Sequence, residues 1–196
     1  MIEKLRDTIP IRSQVKEKPK YQDYRDELQS DFNYRCGYCD DSDEFIDRIL
    51  FHIDHFAPKK KFPNLITSYN NLVYACRYCN MSKFDYWVGK DHSIPNDGEE
   101  GIVDPCSMEY DLHLARSSNG AIVAKTKLGL FIIKRLKLDL LRHVNQWESR
   151  RLRKNRDTIG DLINKLEDSG KADQELLDLY RSYYKITNAI ENLERN

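Results

Sequence analysis

No stretch of this sequence is both apolar and long enough, at about 20 residues, to span a bilayer, and the opening "MIEKLRDTIP" is too polar for the core of a secretion signal. Membrane insertion and secretion are therefore not expected, and the chain reads as a cytoplasmic globular protein. Net charge is also missing: 32 basic residues balance 32 acidic ones, which argues against a wholly basic nucleic-acid binder. Internal repeats and low-complexity tracts are absent too, so the 196 residues suit one domain with an appendage.

The zero sum hides segregation. Between Lys125 and Arg156 eleven basic residues face two acidic ones, and the segments on either side are acidic. The last part of this run, "RHVNQWESRRLRKNR" with Arg150, Arg151, Arg153 and Lys154, reads as a DNA-backbone contact, a solvated helix face or a dock for an acidic partner.

Five cysteines are present, and four of them form two C-x-x-C pairs, "CGYC" (Cys36, Cys39) and "CRYC" (Cys76, Cys79). In an intracellular chain such pairs read as a tetrathiolate zinc site, with a redox pair or disulfides as the alternative. Cys106, alone in "VDPC", reads as a small buried hydrophobe.

Helical spacing of Tyr21, Tyr24, Leu28 and Phe32 predicts a helix leading into the first knuckle. "FIDRILFHID" (Phe45 to Asp54) predicts a strand, and Pro58 and Pro63 place Lys59, Lys60 and Lys61 in a loop. "NNLVYAC" predicts a short extended approach to the second knuckle, with a helix starting near Asn80 that carries Phe84 and Trp87 on one side. An acidic loop follows from Asp91, then a hairpin turning at Asn119-Gly120, then amphipathic helices that break near Leu138 and end in a helical hairpin. The expected divisions are 1–90, 91–125 and 126–196.

Thirty-six residues separate Cys39 from Cys76, more than the roughly 12 to 20 of a minimal zinc ribbon. What fills the interval is Asp54-His55 and Asn71, and the second knuckle then delivers Asn80 and Lys83. A carboxylate and an amide oxygen are hard ligands that suit magnesium or manganese. A neutral imidazole can take a proton from water near neutral pH. These are the parts that metal-assisted phosphodiester hydrolysis needs. Asn71 can orient the imidazole or pin the loop that carries it, and Lys83 can meet the phosphate or steady developing charge, with Lys59, Lys60 and Lys61 as looser phosphate contacts.

In "CGYC", "IDHFAPKKKFP", "NNLVYAC" and "CRYCNMSK", taken in that order, the chain resembles the HNH endonucleases of the ββα-metal class in their four-cysteine, zinc-stabilised form. The same acid-His, Asn, Asn-x-x-Lys spacing resembles the HNH domain of RNA-guided CRISPR nucleases. The resemblance covers about Asp31 to Trp87 and implies an α+β fold with a zinc-clamped, treble-clef-like ββα core and a helical C-terminal extension. It implies His55 as general base, Asp54 and Asn80 as ligands of a catalytic Mg²⁺ or Mn²⁺, Asn71 as the middle asparagine, and Cys36, Cys39, Cys76 and Cys79 around structural zinc. Phe84 stands where colicin-type members place a further histidine, which favours a two-ligand site. The nuclease resemblance implies DNA as substrate; the tail is similar to those of stand-alone bacterial members, some tied to phage defence, which implies a protein partner such as an ATPase on the C-terminal helices. A zinc module that binds without cutting and an RNase toxin are the rival readings.

The remaining residues have blander expectations. His52 reads as packing or support for the cleft, and His92, His113 and His143 as surface or hairpin residues. Tyr74, Tyr78, Phe84 and Trp87 are expected to pack around the zinc core rather than stack on bases.

Overall fold

The computed structural model describes residues 2–44, 50–170 and 174–195. The aromatic spacing before the first knuckle does form helix: a 3-10 turn, Tyr21–Tyr24, runs into α1, Arg25–Asp31. It buries Tyr24, Leu28 and, just beyond its end, Phe32. Asn33 and Tyr34 then take left-handed φ of 54° and 60°, which stops the helix and turns the chain into "CGYC".

Strand β2, Phe51–His55, pairs antiparallel with β3, Leu72–Cys76, so that Phe51 lies opposite Cys76 and His55 opposite Leu72. The first half of the expected strand, 45–49, lies outside the described residues. Every residue of β3 is buried, as its unbroken apolar run "LVYAC" requires. Helix α2, Arg77–Lys83, leaves β3 directly, with Cys76 as its N-cap in extended conformation. It starts three residues before the expected Asn80, because the second knuckle is itself the first helical turn. That places Cys76 and Cys79 one above the other on one face. β2, β3 and α2 form the ββα core of an α+β fold.

A second sheet, in the order β1-β4-β5, joins Ile2–Glu3 (β1), Leu114–Ser117 (β4) and Ile122–Ala124 (β5), with a short helix α3, Tyr110–His113, before β4. The hairpin turns at Asn119-Gly120, where Gly120 has φ of 83°. Arg116 of β4 is 1% exposed, and its guanidinium donates to the carbonyls of Leu5, Gly120 and Cys39. It thus ties the hairpin to the first knuckle, satisfying a buried charge with three acceptors.

Helix α4, Lys127–Leu136, is capped by Thr126, whose hydroxyl accepts from Gly129 N at 3.0 Å. A Cβ at Gly129 would sit 2.0 Å from His113 O, so only glycine lets α4 approach the end of α3. Its buried face, Leu128, Ile132, Ile133 and Leu136, packs on β5 and α2, and the helix ends at Lys137 in left-handed conformation. The break expected near Leu138 is there.

Two compact units result, Met1–His143 and Val144–Asn196. α4 packs on α2 and on β5, so the hairpin lies in the first unit with the ββα core. The second unit holds the length of α5 (Leu141–Asp168) from Val144 onward and α6, Gln174–Arg195. These form the expected helical hairpin, with Ile163 and Ile190 buried. Part of the predicted break, 171–173, lies outside the described residues.

Candidate active site

Backbone bonds shape the first knuckle: Cys36 N donates to Asp41 O, Asp40 N to Cys36 O, and Gly37 N to Tyr74 O on β3, each at 2.9 Å. A Cβ on Gly37 would meet the Phe32 ring at 2.6 Å, so the knuckle needs glycine there to sit against the core. The four sulfurs of Cys36, Cys39, Cys76 and Cys79 lie within 4.8 Å of one another, all buried. Cys39 and Cys76 Sγ are 3.8 Å apart. That far exceeds a disulfide at about 2.05 Å. Sulfurs on a tetrahedral zinc ion, with bonds of about 2.3 Å, stand about 3.8 Å apart. The cluster fits structural zinc, as expected from the motif.

The strand β2 and the loop after it form one wall of a cavity of about 580 Å³, and α2 forms another. His52, Asp54, His55 and Asn80 line it, with Arg25, Lys59 and Lys60 around them. His55 Nε2 lies 3.0 Å from the carbonyl oxygen of Ile66, which can only accept, so Nε2 carries the proton. Nδ1 is then left as a lone-pair nitrogen. Burial lowers the imidazole pKa, which keeps the ring neutral near pH 7, and Tyr21 packs edge-on to it with centroids 4.7 Å apart.

Asp54 is 5% exposed and its carboxylate is held from two sides. The Tyr38 hydroxyl, from inside the first knuckle, donates to Oδ2 at 2.6 Å, and Lys83 Nζ lies 3.1 Å from Oδ2 and 3.2 Å from Oδ1. Lys83 also donates to His55 O at 2.8 Å. The expected reach of Lys83 toward a phosphate is not what the structure shows. The ammonium is fully buried beneath the Asp54-His55 pair and fixes it from behind.

Asn71 likewise works on the loop rather than on the imidazole. Its Oδ1 accepts from Ala57 N at 2.8 Å, and its Nδ2 donates to Ala57 O and Leu65 O, stapling both ends of the segment that bears the three lysines. Asn80 Nδ2 donates to His52 Nδ1 at 2.9 Å, which turns the amide so that its oxygen is the atom left for a cation. His52 is therefore a support, as read from sequence. The Asp54 carboxylate and the Asn80 amide oxygen are hard donors lining one cavity, a donor set suited to a divalent cation.

Other expected contacts divide. Lys59 and Lys60 border the cavity, whereas Lys61 donates to Trp87 O. In the second unit Arg151 and Lys154 are exposed, Arg150 is half-buried, and Arg153 is engaged by Glu194 of α6. Among the aromatics, Tyr74 and Trp87 are core as expected, but Tyr78 is 49% and Phe84 62% exposed, since α2 ends at Lys83 and turns Phe84 outward.

His143 corrects the sequence reading most directly. It is 1% exposed, with Nδ1 2.9 Å from Asp41 Oδ2, and Arg142 Nη1 meets the same oxygen at 2.9 Å. A ring nitrogen of His143, an oxygen of Asp41 and Cys39 Sγ lie within 4.8 Å of one another. Tyr38 was missed as well, although its place between two zinc ligands was a signal that it would be rigidly held. Cys106 packs against the core as a partly buried thiol.

Residues 36–85 match the model of the HNH endonuclease family. Two curated proteins, both called Septu protein PtuB, resemble the chain. The one from Bacillus mycoides (strain KBAB4) is 31% identical over 133 residues, covering 54% of this chain and 44% of its own length. The one from Bacillus thuringiensis is 33% identical over 55 residues, covering 26% of this chain and 20% of its own length. The chain thus spans less than half the length of these relatives. No solved structure matches. No described helix is long and apolar enough to cross a membrane.

Proposed function

We propose that this chain, whose residues 36–85 form an HNH endonuclease domain, hydrolyses phosphodiester bonds in DNA as an effector of phage defence. The observation that carries the reading is the bond from His55 Nε2 to Ile66 O, which leaves Nδ1 as a proton acceptor in the cavity that Asp54 and Asn80 also line. His55 accepts the proton of the attacking water at Nδ1. Asp54 and Asn80 would hold a divalent cation, which would supply charge to stabilise the five-coordinate phosphorus and the leaving oxygen. Tyr38 and Lys83 hold Asp54 in place, Asn71 pins the loop, and Lys59 and Lys60 offer charge to the flanking phosphates. The defence role is supported by the resemblance of the tail to stand-alone bacterial members tied to phage defence, beside the likeness to the two relatives named Septu protein PtuB. The helical hairpin, with Leu177, Tyr180 and Tyr184 exposed, is proposed as the seat of a protein partner of ATPase type.

The test is incubation of the purified chain with supercoiled plasmid and with total RNA, with Mg²⁺ or Mn²⁺ and with a chelator. Cation-dependent cutting of plasmid is expected, falling by about 10² to 10⁴ in His55→Ala. Cutting of RNA alone would make the chain an RNase. Tight binding with no cutting of either would make it a binding module.

A further inference from the structure

Phe84 occupies a backbone position that excludes almost every residue but glycine. It ends α2 with φ of 52° and ψ of −131°, and Tyr86 N donates to Lys83 O at 3.2 Å, closing a four-residue turn with Phe84 in its second place. Those angles are those of the first central residue in a type II′ turn, where a Cβ is crowded and glycine is the usual occupant. The side chain carried there at such strain does not serve the core, since Phe84 is 62% exposed. Strain of this kind persists where surrounding structure over-determines it, and it gathers at functional sites.

The place is the rim of the cavity that holds Asp54, His55 and Asn80. Met81, 60% exposed and one turn earlier, lines the same cavity, so two large apolar side chains stand beside the site. Lys60 Nζ lies 5.3 Å from the Phe84 ring centroid, and Lys59 and Arg25 border the same opening. An exposed apolar pair among three cations, with Asp85 on the same rim 3.9 Å from Lys60, suits a polyanion with flat apolar parts, that is, a polynucleotide. Phosphates meet the cations, and an unstacked base meets the ring.

We infer that Phe84 is a wedge that enters a base step next to the scissile phosphate and stacks on the base it displaces. The inference rests on the proposed nuclease reading and adds its substrate form: DNA whose local stacking is opened at the cut. Met81 supports the wedge from the preceding turn. Because Phe84 follows directly on the helix carrying Asn80, the opened step and the hydrolysed bond are held by one element.

The same argument makes an unusual demand on variants. Phe84→Gly relieves backbone strain, so the melting temperature rises or holds, while the wedge is lost. Loss of one base–aromatic stack corresponds to binding about 5- to 150-fold weaker. The full chain, Phe84→Gly and Phe84→Leu are compared on a fully paired DNA duplex and on the same duplex carrying a two-base mismatch bubble at the cut. A bubble is already unstacked and needs no wedge. Expected are a 5- to 150-fold loss in cleavage of the paired duplex by Phe84→Gly, an intermediate loss by Phe84→Leu, and a smaller loss by each on the bubble, where the stack is given up but no base step has to be opened. Equal losses on both substrates, or none on either, would overturn the wedge while leaving the nuclease reading intact. Failure of the unaltered chain to cut either duplex would overturn both. A fall in melting temperature for Phe84→Gly would give the ring a packing role and remove the argument from strain.

Discussion

The Tyr38 hydroxyl, 2.6 Å from Asp54 Oδ2, runs from the middle of the first zinc knuckle to the carboxylate of the cavity, so one side chain spans the structural and the candidate catalytic centre. Both groups are buried, and the phenol is kept protonated by burial and by the charge of Asp54, which makes it a dedicated donor. Outer partners that orient a ligating carboxylate typically contribute 10- to 100-fold in metal affinity or activity. Tyr38→Phe is expected to fall in that range for the midpoint of Mn²⁺ activation, with zinc content unchanged. A variant with an unaltered Mn²⁺ midpoint would reduce Tyr38 to a core residue.

Much of this site was legible because its chemistry depends on short spacings. The cysteine pairs, Asp54-His55, Asn71 and Asn80 stand where local motifs put them, and the structure brings Asp54, His55 and Asn80 to one cavity. What was not legible depends on distant packing. Nothing near Lys83 in sequence says that its ammonium will lie under Asp54, 29 positions earlier, rather than in the cleft. His143 and Asp41 are 102 positions apart, and Arg153 meets Glu194 across 41. Helix α2 began early for a related reason: a cysteine knuckle reads as a loop in sequence, yet its ligands need a helical turn here.

Zinc removal tests the frame, with His143 as the finer probe. Structural zinc in small modules is worth about 10 to 16 kcal/mol, so prolonged chelation, or Cys76→Ser, is expected to give unfolded or insoluble protein. His143, with Asp41 at Nδ1 and Cys39 Sγ within 4.8 Å, sets a carboxylate–histidine pair beside a cysteine of the proposed zinc cluster. The Arg142 guanidinium meets the same Asp41 oxygen at 2.9 Å. His143→Phe is therefore expected to release zinc to a colorimetric chelator about 10- to 100-fold faster, and His143→Gln, which keeps a donor, by less. Equal release rates in all three proteins would leave His143 a packing residue.

Alkaline pH gives a test at a residue outside both proposed metal sites. Burial pushes the Cys106 thiol up to about 12, against an unfolded value of about 8.5. A raised thiol pKa disfavours the thiolate in the folded chain, so its contribution to stability is whole below pH 8.5 and is lost as pH climbs from there toward 12. Cys106→Ala is expected to flatten the decline in urea midpoint between pH 8.5 and 10.5 relative to the unaltered chain. Parallel declines would show that the thiol is open to solvent.

The basic run of α5 can now be divided residue by residue. Arg153 meets Glu194 inside the hairpin, and Arg150 is half-buried, which leaves Arg151 and Lys154 as the exposed pair of the four. Arg151 lies 3.8 Å from Glu148 and over the Trp147 ring, a surface pairing that phosphate can displace at little cost. If this segment lies along a DNA backbone, each lost phosphate contact lowers the slope of log affinity against log salt by about 0.9. Arg151→Gln with Lys154→Gln should then flatten the slope by up to about 1.8, equally for every DNA sequence. Arg153→Gln should leave the slope alone and shift stability by under about 1 kcal/mol, the usual worth of an exposed pair. Neither change should alter the single-turnover rate at saturating DNA, since neither residue lines the cavity of Asp54, His55 and Asn80. A slope untouched by the double change, but reduced by Lys59→Gln with Lys60→Gln, would assign phosphate binding to the cleft loop. The helical hairpin would then be left to its protein partner.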